Sequence, residues 1–194
     1  MNGTNLIDIE LDPTVEIGEF CFLGRGNSLR KTTIGKNGTI GSYVIIEKGV
    51  TIGDNFSIDD RCTIYSNAQI GSGLILCYGK NIHANAVVGN DCIIGGHICE
   101  RMILEDRVTF MGEVAHSHYN PKSDWNTTDE PSPTIGEGTV IGVNSLIIGG
   151  ITIGKNCYVS AGEILRTNLP DNSVYLKDKI YPIESFRGLF ITRY

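Results

Sequence analysis

Ile34-Gly35-Lys36-Asn37-Gly38-Thr39-Ile40-Gly41-Ser42-Tyr43-Val44-Ile45-Ile46 holds two successive six-residue units and the start of a third. Each complete unit opens on an aliphatic residue followed by glycine and carries a small or β-branched residue in fifth place. The same opening returns at Ile17, Leu23, Ile52, Ile70, Val88, Ile94, Ile135, Ile141 and Ile153. Without the glycine, Leu11, Ile46, Ile58, Ile64, Leu76, Ile82, Ile98, Leu104, Phe110, Ile147, Val159 and Leu165 keep the beat. A period of six matches neither the 3.6 of an α-helix nor the alternation of a half-buried strand, so the chain is read as an all-β solenoid.

The fifth places include Cys21, Val44, Cys62, Ala68, Ala86, Cys92, Val108, Val114 and Cys157. Four of the six cysteines therefore fall in an inward slot for small residues, where a free thiol behaves as a small hydrophobe. That distribution argues against a disulfide or metal framework and agrees with a reducing, cytoplasmic setting. The register slips at a five-residue unit from Leu29 to Thr33, at a four-residue unit from Ile94 to His97, and at a long interruption after Ala115.

Nothing in the bulk composition divides the 194 residues, so residues 1–194 are predicted to form a single domain. The formal charge of −6 and the lack of any basic run give no footprint for nucleic acid or an acidic membrane surface. No run of eighteen apolar residues occurs, and the start lacks a signal-peptide pattern, so a soluble cytoplasmic protein is expected.

The interruption is the chemically rich part of the chain. Val114-Ala115-His116-Ser117-His118-Tyr119-Asn120-Pro121 begins a polar run that ends at Pro133 and includes Trp125. With eighteen residues per coil, corrected for the shortened unit, Tyr65, His83, Cys99 and Ser117 form one column, and His97 lies at the corner before it. All four histidines thus gather on or beside one side. Glu100 and Glu113 are the acids placed to orient an imidazole.

The repeat resembles that of the hexapeptide-repeat acyltransferases. Ala115-His116-Ser117-His118-Tyr119-Asn120-Pro121-Lys122, followed by Thr134-Ile135-Gly136-Glu137-Gly138-Thr139-Val140-Ile141-Gly142, is similar to the galactoside and maltose acetyltransferase type. The resemblance covers residues 11 to 169. It implies a left-handed parallel β-helix of about seven triangular coils at residues 11–115 and 134–169, strands about 4.8 Å apart, an excursion loop at 116–133 and a short tail at 170–194. It also implies acetyl transfer from acetyl-CoA to a hydroxyl or amine of a small acceptor, a sugar or nucleotide sugar, in a homotrimer without nucleic acid or membrane. His116 is the implied general base and His118 the second choice, with His83, Tyr119 and Trp125 toward the acceptor. Gly142, Val143 and Ala161 are the implied coenzyme contacts, and Arg166, Lys177 and Lys179 the cations nearest its phosphate; no metal is expected. The sequence departs from the family at Ser117, where proline is common, and at Tyr175-Leu176-Lys177-Asp178-Lys179, where Gly-x-Pro and a basic residue are usual.

Two other readings remain open. Ile94-Gly95-Gly96-His97 resembles a segment of γ-type carbonic anhydrases, but Met102 stands where the next zinc ligand would follow. A non-catalytic scaffold is also compatible with a solenoid, although it gives no reason for a long loop rich in His, Tyr and Trp.

Overall fold

The computed structural model describes residues 3–117, 122 and 130–186. Short strands, mostly of two residues, are joined by tight corners, and each strand pairs in parallel with the one a full turn later in the sequence. Ile46 is registered on Ile64 and Ile64 on Ile82; Ile40 on Ile58, Ile58 on Leu76, and Leu76 on Ile94. These steps of eighteen residues make a parallel β-helix whose unit-opening aliphatics point inward. Ile46, Ile64, Ile82, Ile94, Ile98, Phe110, Ile135, Ile141 and Ile147 are wholly buried. Removing each such side chain from water contributes about 1.5–3 kcal/mol, so the continuous apolar column sets the repeat.

Two backbone demands explain the polar remainder of each unit. The fourth residue turns the corner in the left-handed region: Asn37, Asn55, Asn67, Asn85 and Asn156 all have φ of 50–61°. Asparagine tolerates that conformation better than most residues. Apart from Gly24, at φ 82° beside the bulge, the second-place glycines have ordinary φ and serve a different need. A Cβ on Gly53 would lie 2.8 Å from the carbonyl carbon of Gly71, and one on Gly71 2.8 Å from that of Gly89. Close stacking of backbone on backbone, rather than turning, excludes a side chain there.

The inward cysteines behave as expected. Cys21, Cys62 and Cys92 are 0% exposed and Cys157 2% exposed, and no described cysteine is bonded to another. Each thiol also donates to a carbonyl of the next coil: Cys21 to Gly41 at 3.0 Å, Cys62 to Cys77 at 3.2 Å, Cys92 to Glu105 at 3.3 Å and Cys157 to Pro170 at 3.1 Å. Burial pushes the Cys92 thiol up to about 11, which keeps it protonated and inert.

The register slips differ from the expectation in two respects. Leu29 opens no inward unit, because it is fully exposed. Leu23 pairs with Ile46 across a bulge at Leu23/Arg25, so the extra residues between Leu23 and Ile34 bulge outward instead of filling the prism. A second shortened unit also exists. Val114, expected in the small fifth place, is registered on Ile147 in the unit-opening column, with Ala115 on Ile148. The unit from Phe110 to Glu113 is therefore four residues long, like that from Ile94 to His97. Gly96 makes the stacking possible, since a Cβ there would meet the Gly112 carbonyl oxygen at 1.8 Å.

The shortened units interrupt one face. Its ladder runs through Asn5–Leu6, Phe22–Arg25, Ile45–Glu47, Thr63–Ile64 and Asn81–Ile82, then continues only as a bridge from Ile82 to Ile98. It resumes as a separate sheet of Glu113–Ala115, Leu146–Ile148 and Ile164–Leu165. The other two faces form uninterrupted eight- and ten-stranded sheets. The excursion leaves at His116, where the broken face resumes.

At the C-terminal end, Ser173–Leu176 and Lys179–Pro182 form an antiparallel hairpin, followed by a 3₁₀ turn at Ile183–Phe186. Tyr175, only 7% exposed, closes the last coil and donates its hydroxyl to the Ile164 carbonyl at 3.2 Å.

Candidate active site

The strand Glu113–Ala115 carries His116 out of the coil on the broken face. Glu130 of the returning excursion meets it. His116 Nδ1 lies 2.8 Å from Glu130 Oε2, and the other carboxylate oxygen accepts the Ser117 amide at 2.6 Å and the Ser117 hydroxyl. The Glu130 side chain is only 15% exposed while that of His116 is 61% exposed. Burial is the largest influence on the Glu130 carboxyl and pushes its pKa up, but the hydrogen bonds from Ser117 and His116 together outweigh it and hold the pKa below the ordinary carboxylate value. Glu130 therefore stays ionised and can accept a hydrogen bond from Nδ1–H; the neutral imidazole in that tautomer carries its lone pair on Nε2.

Sequence spacing offers Glu100 and Glu113 as orienting acids; the carboxylate on His116 comes instead from the far end of the excursion. The signal was present in the sequence as an acid directly before Pro131, at the re-entry to the repeat. Without the loop's path, its thirteen residues of separation from Ser117 gave no reason to pair them. Glu100 contributes its backbone: Ser132 donates to its carbonyl at 2.5 Å, and Arg101 reaches the Glu130 carbonyl at 3.5 Å. These contacts moor the returning chain to the coil below.

A small cavity of about 40 Å³ lies against this pair, lined by Cys99, Val114, Ala115, His116, Glu130 and Pro131 among others. Wider depressions lie elsewhere: about 630 Å³ beside Ile9–Pro13 at the N-terminal edge, and about 390 Å³ around Glu105, Glu137 and Lys155. Both are open and contain no histidine. In the second, Lys155 bridges Glu105 at 3.6 Å and Glu137 at 3.4 Å, and Arg107 pairs with Glu137, an exposed ion network that accounts for its charges. Size here does not identify the reactive place.

Of the expected site residues, His83 lies on the broken face one step below Cys99, its ring stacked on Tyr65 with centroids 4.7 Å apart. Burial lowers its pKa from 6.5, and the neighbouring His97 adds to the effect. The expected column is corrected at its top: Ala115, not Ser117, is registered on Ile148 in the second place of the unit, because the Phe110 unit is short. Ser117 stands beyond the coil, where it can hold Glu130. His118, Tyr119 and Trp125 lie outside the described residues.

Gly142 and Val143 meet Ala161 and Gly162 on adjacent coils. The Gly162 amide donates to the Val143 carbonyl at 3.0 Å, and a Cβ on Gly142 would strike the Ala161 amide nitrogen at 2.5 Å. Val143 is 57% exposed, and Ala161 is exposed too. Next to them, Glu163 accepts the amides of Lys177 at 2.8 Å and Asp178 at 3.3 Å, fixing the hairpin turn. Lys177, Lys179 and Arg166 are all exposed at this end. The structure pairs His116 with Glu130 on the broken face and, at the C-terminal end, sets Gly142 and Val143 against Ala161 and Gly162.

Among the described residues, no group of three or more His, Cys, Asp or Glu could hold a metal ion. Met102, the residue at the zinc-ligand spacing, is wholly buried in the apolar prism. Among the described residues, no helix is long and apolar enough to cross a membrane.

Comparison with known proteins gives a family described as the hexapeptide repeat of succinyl-transferase, matched at residues 31–59 and 134–166. The bifunctional protein GlmU of Bradyrhizobium sp. (strain ORS 278) is 27% identical over 157 residues, 75% of this chain and 35% of that protein. Serine acetyltransferase 4 of Arabidopsis thaliana is 28% identical over 101 residues, 50% of this chain and 27% of that protein. The chain spans about a third of the length of the GlmU proteins it matches. LpxA from Acinetobacter baumannii has a similar fold, with a TM-score of 0.56 at 16% identity over 99% of this chain and 79% of that one. The period of six, the parallel coil and these likenesses agree: the fold is that of a left-handed parallel β-helix, and the chain is similar to hexapeptide-repeat proteins over the matched residues.

Proposed function

We propose that this chain is an acyltransferase that moves an acetyl group from acetyl-CoA to a hydroxyl or amine of a small acceptor, with His116 as general base. The observation that carries this reading is the His116–Glu130 hydrogen bond at the mouth of the excursion. With Nδ1–H directed to the carboxylate, Nε2 can take the acceptor proton as the acceptor oxygen or nitrogen attacks the thioester carbon. Collapse of the tetrahedral intermediate then breaks the C–S bond, and the coenzyme thiolate leaves and takes up the proton. Glu130 stabilises the imidazolium formed between these steps without itself accepting the proton. The likeness to a serine acetyltransferase supports acetyl transfer as the reaction class.

The coenzyme is assigned to the C-terminal coils. Val143 and Ala161, exposed residues on adjacent coils, are assigned to the pantetheine amides, beside Gly142, whose missing side chain permits the close stacking. Arg166, Lys177 and Lys179 supply positive charge for the phosphates. The acceptor is read as a sugar or nucleotide sugar, from the resemblance of the excursion to sugar acetyltransferases; His83, Tyr119 and Trp125 are assigned to it, and His118 is the reserve base. We read residues 1–194 as one domain, acting as a cytoplasmic homotrimer.

The test is acetyl-CoA-dependent thiol release with a panel of sugars, nucleotide sugars and amines. His116→Ala should lower turnover about 10²- to 10⁴-fold with an acceptor the wild type uses. Undiminished turnover would remove His116 from the chemistry.

A further inference from the structure

We infer that Gly150 is a positioning residue: its missing side chain leaves the step on which Pro131 rests, and this seat sets Glu130 against His116. The inference rests on the role of His116 proposed above.

Second-place glycines such as Gly53, Gly71, Gly136 and Gly142 are excluded from carrying a Cβ by the backbone of the next coil. Gly150 is different. It is exposed, its φ lies outside the left-handed region, and it sits in the corner between Leu146–Ile148 and Thr152–Ile153. Its φ therefore places no demand for glycine, and the three atoms nearest to its Cβ position all belong to the returning excursion. The demand comes from the returning excursion: a Cβ on Gly150 would lie 2.4 Å from the Pro131 carbonyl oxygen, 2.6 Å from its Cβ and 2.7 Å from its carbonyl carbon. Two of the three are backbone atoms, which cannot swing aside as a flexible side chain could.

The adjacent Gly149 extends the seat. Its φ of 75° and its amide bond to the Ala115 carbonyl at 2.9 Å fix the corner, and its Cβ position is 3.1 Å from Ser117 Cβ and 3.8 Å from Glu130 Oε1. The pair Gly149-Gly150 thus touches both ends of the excursion, Ser117 leaving and Pro131 returning. Ser117 and Glu130, which the seat brings together, are joined by the two hydrogen bonds to Glu130 Oε1. Displacing Pro131 moves the residue covalently bonded to Glu130, and orientation of a base is sensitive to shifts of this size.

The experiment compares the wild type, Gly150→Ala, Glu130→Gln and the double variant by the ¹⁵N signals of the His116 ring, thermal midpoint and steady-state kinetics. Gly150→Ala is expected to change the His116 ring signals as Glu130→Gln does and to lower kcat about tenfold or more, with little change in KM for acetyl-CoA. It should add less than twofold in the Glu130→Gln background, because both changes break one contact. If Gly150→Ala lowers the thermal midpoint, Pro131→Gly, which removes the seated Cβ and frees the backbone next to Glu130 while leaving the coil untouched, should still alter the ring signals. Ring signals unchanged in both Gly150→Ala and Pro131→Gly, while Glu130→Gln alters them, would overturn the inference. A Glu130→Gln variant with wild-type ring signals and activity would instead remove the His116–Glu130 reading beneath it.

Discussion

In the proposed reaction His116 and Glu130 divide the work of a base between an exposed ring and a shielded carboxylate, and the division has measurable consequences. Glu130→Gln keeps the shape but removes the charge that fixes the ring's tautomer, so kcat/KM should fall about tenfold to a hundredfold in the thiol-release assay. The same residue bears on stability. Its pKa is depressed in the folded chain, so its contribution is present in full above the ordinary value of 4.5 and is lost as pH falls through the lower folded value. Thermal melts of the wild type should therefore lose midpoint below pH 4.5 more steeply than those of Glu130→Gln. His83 follows the sign for a base buried neutral. Its pKa is lowered from 6.5 by burial and by His97, so the unfolded chain binds its proton first and stability drops as pH falls below 6.5 toward the folded value. His83→Phe, which keeps an aromatic ring to stack on Tyr65, should flatten that part of the curve in melts between pH 5 and 7.

Within a single unit, three places carry three separate physical duties, and substitutions should sort accordingly. Gly71→Ala forces a methyl against the Gly89 backbone and should cost about 1–3 kcal/mol in urea denaturation. Asn55→Ala puts an ordinary residue at φ 57° and should cost about 1–2 kcal/mol. Leu29→Ala should stay within about 0.5 kcal/mol, because Leu29 is fully exposed despite being aliphatic. The first and last of these show how far the units were legible. A buried aliphatic every six residues is visible because burial enforces it, and so is the small inward slot filled by Cys62 and Cys92. Leu29 misled because one apolar letter looks the same inside or outside the prism, and only the pairing of Leu23 with Ile46 reveals the bulge. The short unit at Phe110 was hidden for a related reason: Val114 suits either the small slot or the opening column. Its true place, opposite Ile147, shifted the column by two residues and brought Ala115 where Ser117 was expected. Glu130 was the least legible, since its partner Ser117 is fixed by the excursion's path and not by any period.

At the scale of the whole molecule, each coil touches only its neighbours, so stability is a sum of local terms and the two ends should differ. At the N-terminal end Ile9, Leu11, Val15 and Ile17 are only partly buried, and Leu6 and Ile7 are 43% and 50% exposed. The strands Asn5–Leu6, Ile9–Leu11 and Glu16–Ile17 also stand at the margins of their sheets. At the other end the hairpin of Ser173–Leu176 and Lys179–Pro182 lies over the last coil, with Tyr175 buried and hydrogen-bonded to Ile164. Hydrogen exchange reads this asymmetry directly, because protection follows the free energy of local opening. Amides of residues 5–18 should exchange fastest within the coil, those of residues 45–110 slowest, and those of residues 140–175 nearly as slowly because the hairpin covers them. Tyr175→Ala removes that cover and should raise exchange in residues 158–176 while leaving residues 45–94 unchanged. A uniform rise along the chain would mean that the prism opens as one cooperative unit, and the nearest-neighbour account would fail.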